Sequence, residues 1–185
     1  MTRMRMLGAS AAVVAALTIA VPGSAQHPDR DASLARSAAL VAAPAARGFD
    51  APADVPAQTA RAVAGGIAGA IPLPPGGSFD GVRWEQAGGV FTTAGIALVL
   101  QYNAACQWLR AWRDGRDAAT ALKVLAQVPA WPALRATESG DVLATVAAEA
   151  AAGGGELAAA VLVDCDASHA REVTYATRLG LTPST

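Results

Sequence analysis

The chain has 185 residues, 53% of them hydrophobic and 16% charged, with a formal net charge of −1. That length accommodates one domain with extensions, and the composition excludes a chain that is disordered throughout. The charges divide unevenly: residues 1–75 carry six Arg against four Asp, and residues 76–185 carry seven Arg and one Lys against eleven Asp and Glu. An acidic-leaning body of this kind argues against a nucleic-acid partner, which needs clustered Lys and Arg to neutralise phosphates.

Residues 1–25 read as a secretory signal peptide. Arg3 and Arg5 supply the positive start, and Leu7 to Val21 form a soft Ala-rich apolar core. Pro22 and Gly23 break it, and small residues end at Ala25, the expected cleavage point. The apolar stretch is too short and too rich in Ala to serve as a stable membrane span, so none is expected after cleavage. The expected location is extracytoplasmic: secreted or in the cell envelope.

Residues 26–78 have another character. Among the 50 residues from 26 to 75 are 16 Ala, 7 Pro and 4 Gly, with Phe49 as the only aromatic. This composition predicts a flexible Ala/Pro/Gly-rich linker with weak helical pieces at 33–43 and 58–71, interrupted by Pro44, Pro52 and Pro56. Gly65 and Gly69 have the GxxxG spacing of membrane helix dimers. Pro72, Pro74 and Pro75 stop that helix too early to span a bilayer, and the stretch reads instead as a strap entering the folded part.

The compact domain is expected over residues 79–181, with 182–185 as a flexible tail. From Val90 onward Phe91, Leu98, Tyr102, Ala105, Leu109 and Trp112 recur at helical spacing, predicting one long helix to Arg113. The stretch from Phe79 to Arg113 also holds three of the four Trp and one of the two Cys, so the rest of the domain is expected to fold around it. Further helices are expected over about 116–128 and 142–152, the latter capped by Asp141 and burying Val142 and Val146. Another begins at 156 with Leu157, Val161 and Leu162 facing inward. A last segment at 167–179 has Val173 and Tyr175 as core residues, and whether 161–177 is one helix or two stays open. Trp131, between Pro129 and Pro132, is placed to plug a gap. The fold class is therefore all-α, a bundle of four to six helices with short connections.

Cys106 and Cys165 are the two cysteines of the chain. In an oxidising compartment an even, minimal set predicts a disulfide, here joining the Trp-rich helix to the C-terminal portion. Neither belongs to a CxxC motif.

Candidate chemistry is sparse. Asp164, Asp166 and His169 form the densest group of potential acid–base residues or ligands, but their spacing matches neither a calcium loop nor a complete zinc set. They read as the acidic start of a helix. The glutamates are scattered with no pair identifiable for glycoside hydrolysis, no elbow motif surrounds a serine, and the glycine clusters at 65–66, 76–77, 88–89 and 153–155 lack phosphate-loop spacing. No catalytic residue, cofactor or metal is assigned. Trp108 and Trp112, one helical turn apart beside Arg110 and Arg113, offer stacking and cation–π contacts, with Trp84 and Trp131 as further groove candidates. The leading expectation is a non-enzymatic exported helical protein with a structural or protein-interaction role. The runner-up is a module binding a small aromatic molecule or a peptide in a groove around Trp84, Trp108, Trp112 and Trp131. An enzyme using Asp164, Asp166 and His169 comes third.

Overall fold

The computed structural model describes residues 54–135 and 137–185. The expected signal peptide, its cleavage point and the linker up to residue 53 lie outside the described residues. Within them the chain forms a mostly helical domain of five α-helices with a minor two-stranded β-ribbon.

Folded chain begins earlier than Phe79. Strand β1 (Asp54–Pro56) pairs antiparallel with β2 (Val90–Thr92), placing Val55 opposite Phe91. This ribbon departs from the all-α expectation. It is short, and Pro56 occupies a sheet edge, where a missing N–H is tolerated. Helix α1 (Ala57–Ala68) follows without a break. Ala57, Ala60 and Ala64 fall on one face and are buried, because methyl groups alone let the helix backbone sit close against its neighbours. Arg61 projects from α1 and holds the next segment. Its Nε donates to Glu85 Oε1 at 2.7 Å, Nη1 to the Asp80 carbonyl at 3.0 Å and Nη2 to the Val82 carbonyl at 2.9 Å. Residues 54–78 are therefore part of the packed body, ahead of the expected start at Phe79. The linker reading went wrong because Ala and Gly carry no periodic apolar signal, although their small size suits close packing.

Helix α2 (Thr93–Arg113) is the central element. The Thr92 side chain caps it, its Oγ1 accepting from Gly95 N at 2.9 Å. The helix thus starts later than the periodicity suggests, and Phe91 lies in β2, edge-on to Trp84 with ring centroids 5.6 Å apart. The buried positions run through Ile96, Leu100, Ala104, Trp108 and Ala111 on one line, with Ala97, Gln101, Ala105 and Leu109 beside it. Leu98, Tyr102 and Trp112, expected at the centre of the buried stripe, are half-buried at its border. The stripe is rotated because Gln101 and Gln107 are buried as hydrogen-bonding residues: Gln101 Oε1 accepts from Ala133 N, and Gln107 Nε2 donates to the Ser78 carbonyl.

Helix α3 (Ala118–Leu125) packs Ala121, Val124 and Leu125 inward. Trp131, in the loop after the short 3₁₀ turn Val128–Ala130, is completely buried. Helix α4 (Glu138–Ala151) is capped by Thr137, whose Oγ1 accepts from Gly140 N at 3.0 Å. Asp141, the expected cap, sits in the first helical turn instead. Leu143 and Val146 enter the core while Val142 is exposed. Gly153 to Gly155 turn the chain into α5 (Glu156–Leu179), one uninterrupted helix of 24 residues. The Glu149 carboxylate caps it from outside, accepting from Glu156 N and Leu157 N at 3.0 and 2.9 Å. Leu162 and Tyr175 are buried, Leu157 is exposed, and Val161 and Val173 are intermediate.

The Cys106–Cys165 disulfide joins α2 to α5 with Cα atoms 5.4 Å apart. The last residues are docked rather than free: Thr185 N donates to the Gly76 carbonyl, and Ser184 is buried beside His169. No helix among the described residues is long and apolar enough to cross a membrane.

Candidate functional site

The four tryptophans do not meet in a groove. Trp84, Trp108 and Trp131 are buried, and Trp108 Nε1 donates to the Pro72 carbonyl at 2.9 Å, fixing the proline strap to α2. Trp112 alone stays half-exposed. It borders a more open depression of about 500 Å³ with Leu162, Val163 and Asp166. Three of the four rings that the runner-up reading set along a groove thus lie in the core. In a domain this rich in Ala, the large rings are consumed in filling the core.

The other group singled out by spacing is divided by α5. Asp166 pairs with Arg113 of α2 at 2.5 Å beside the depression at Trp112, whereas Asp164, itself exposed, and His169 line a separate pocket against α2. Among the described residues, no group of three His, Cys, Asp or Glu is arranged to hold a metal ion.

Between α2 and α5 lies a pocket of about 310 Å³. On α2, Leu98, Tyr102, Cys106 and Arg110 recur every four residues and form one wall. From α5 come Asp164, Ser168, His169 and Glu172, and the disulfide ties the two walls together. One end is apolar, with Leu98 and Val99. The other is polar, with Arg110, His169 and Glu172.

The polar end is organised around Glu172. Its Oε1 accepts from Asn103 Nδ2 at 2.9 Å and from Ser168 Oγ at 3.1 Å, and Asn103 Oδ1 in turn accepts from Gln107 Nε2 at 2.7 Å. The carboxylate is thus oriented by a chain of amides reaching into the core. His169 Nδ1 lies 3.2 Å from Ser184 Oγ. Burial and then the nearby Arg110 charge push the imidazole pKa below its ordinary value, so the ring is neutral at neutral pH. The Tyr102 hydroxyl is held above its ordinary value by burial and by Asp164.

Arg110 is the exceptional member. It is only 4% exposed, yet Nε and Nη1 have no hydrogen-bond partner. Burial pulls its pKa below the ordinary arginine value, while Glu172 and Asp166 act in the opposite direction from beyond ion-pairing distance. A buried guanidinium with two unanswered nitrogens carries a desolvation cost of roughly 1–3 kcal/mol or more. From the sequence Arg110 stood beside Trp108 and Trp112 as a source of cation–π contacts. The signal for its true position was its fourfold spacing from Cys106, Tyr102 and Leu98, which puts it on the face that the disulfide pulls against α5.

Ser184 and His169 approach each other, but among the described residues no carboxylate hydrogen-bonds to the imidazole to complete a triad. Ser168 is engaged with Glu172 rather than with a base. Comparison with protein-family models, with curated proteins and with solved structures found no match to this chain.

Proposed function

We propose that the chain is an exported, non-catalytic binding module that holds a small molecule in the pocket between α2 and α5. The observation that carries this reading is Arg110, a buried cation lining a cavity of ligand size with two nitrogens unpartnered. Small-molecule sites typically combine a mostly apolar concavity of about 300 Å³ or more with a few fixed polar groups, and this pocket has both. Unsatisfied buried charge is costly enough that a partner for it is the simplest reason for its retention. Export is supported by the signal-like features of residues 1–25 and by a disulfide formed from the chain's two cysteines.

A fragment screen followed by backbone amide shifts in the oxidised protein tests the reading. Shifts clustered on Tyr102, Asn103, Ser168 and His169 are expected. A screen that moves only residues around Trp112, or none, contradicts it.

A protein-interaction role is the second reading. It is favoured by the exposed apolar side chains of Val142 on α4 and of Leu157 and Val163 on α5, the last 68% exposed. It predicts that Val163→Asp abolishes binding to a partner while leaving fragment binding in the α2–α5 pocket unchanged.

A further inference from the structure

Resting on the binding-module reading, we infer that the α2–α5 pocket takes a small apolar zwitterion of the amino-acid type. Its carboxylate sits on Arg110, its ammonium on Glu172, and its side chain along Leu98, Val99 and Tyr102. Three observations define this ligand together.

The first is the guanidinium. Nε and Nη1 of Arg110 are buried donors without acceptors. No carboxylate among the described residues forms an ion pair with it, although Glu172 and Asp166 are near enough to be felt electrostatically. A ligand oxyanion supplies the missing acceptors, and a carboxylate matches the planar donor fork.

The second is the charge of the lining. Against one guanidinium stand the two carboxylates of Asp164 and Glu172, with His169 neutral. A phosphate-type dianion would meet both carboxylates, and a simple monoanion would leave them uncompensated. Glu172 is pre-oriented: Asn103 and Ser168 both donate to Oε1, and Oε2 takes part in neither bond. An ammonium at Oε2 completes the carboxylate's set of partners and offsets the negative charge that the ligand's own carboxylate brings.

The third is shape. A volume of about 310 Å³ lies at the lower end for ligand sites. The apolar end, lined by Leu98, Val99 and Tyr102, presents apolar surface to whatever the charged groups do not hold.

The test titrates the full, oxidised, isotope-labelled chain with three probes sharing one ring. These are L-phenylalanine, 3-phenylpropanoate, which lacks the ammonium, and 2-phenylethylamine, which lacks the carboxylate. L-Phenylalanine is expected to shift Asn103, Arg110, Ser168 and His169 saturably, with each truncated probe weaker by about tenfold or more. Arg110→Met should weaken L-phenylalanine by about the same factor. Glu172→Gln retains an oxygen for Asn103 and Ser168 and provides a second variant should Arg110→Met disturb the fold. It should weaken L-phenylalanine but not 3-phenylpropanoate. Equal affinity for 3-phenylpropanoate and L-phenylalanine overturns the zwitterion and leaves the pocket reading standing. If none of the three probes moves a pocket resonance while other fragments do, the ligand class falls alone. If no fragment does, the binding-module reading falls with it.

Discussion

Gly140 shows how tightly single residues are constrained in this domain. It opens the first turn of α4 directly beneath the Leu134 carbonyl, and a Cβ at that position would overlap the carbonyl oxygen, which is backbone and has little room to retreat. Thr137 clamps the same corner, donating to the Leu134 carbonyl while accepting from Gly140 N. Gly140→Ala, ordinarily favourable inside a helix, should therefore destabilise the protein by about 1–3 kcal/mol, as overpacking does. Chemical denaturation measures this, and a variant as stable as the parent would show that the corner relaxes freely. Thr137 and Gly140 also mark what a single sequence reveals at this scale. The cap was assigned to Asp141, a residue of the right type in the wrong turn, because local pattern cannot say where the chain arrives from. Trp131 between two prolines was legible as a plug, since few roles suit a large ring in so tight a turn.

At the scale of elements, α1 is held by a polar contact as much as by its alanine face. Arg61 on α1, Glu85 on a 3₁₀ turn (Trp84–Gln86) and Tyr175 on α5 form one group, with Tyr175 Oη donating to Glu85 Oε2 at 2.8 Å and Arg61 Nε to Oε1 at 2.7 Å. The Arg61 hydrogen bond, followed by those from the local backbone and Tyr175, holds the Glu85 carboxyl at a pKa of about 2. A carboxyl depressed on folding adds stability that is fully present above its unfolded pKa near 4.5 and is lost as pH falls toward 2. Both side chains are about a third exposed, at 31% and 36%, so solvent screening limits the gain to below about 1 kcal/mol. Glu85→Gln should flatten the decline in stability between pH 4.5 and 2 while costing little at pH 7; an unchanged acid profile would place the titrating group elsewhere. None of this was legible. Arg61, Glu85 and Tyr175 are far apart in sequence, and a linker rich in Ala and Gly gives no sign that it docks. The long helix was legible because one apolar period ran through it, although two buried glutamines shifted its inward face by about one position.

For the whole molecule, the disulfide and the pocket are one design. Cys106 and Cys165, 59 positions apart in sequence, set the separation of α2 from α5 that defines the pocket. Replacing both cysteines by serine should lower stability by about 2–4 kcal/mol and weaken any ligand held between those helices. A variant that loses stability but binds normally would separate the two roles. The pairing itself could be read from the count of cysteines, and the helical class from the periodicity. The pocket could not, because it depends on which face of α5 meets α2, and Asp164, Asp166 and His169 looked alike until the helix separated them.

Thermal unfolding of Arg110→Met beside the parent chain, with and without ligand, shows what the buried guanidinium costs the empty fold and what it contributes to the occupied one. Arg110 is held here to be kept for an occupant at a cost to the empty fold. The unliganded variant should melt at or above the parent, by up to the equivalent of about 1–3 kcal/mol, and should gain nothing from ligand that raises the parent's Tm. A variant that melts well below the parent, or one stabilised by ligand as strongly as the parent, would contradict it and make Arg110 a structural residue of the α2–α5 contact.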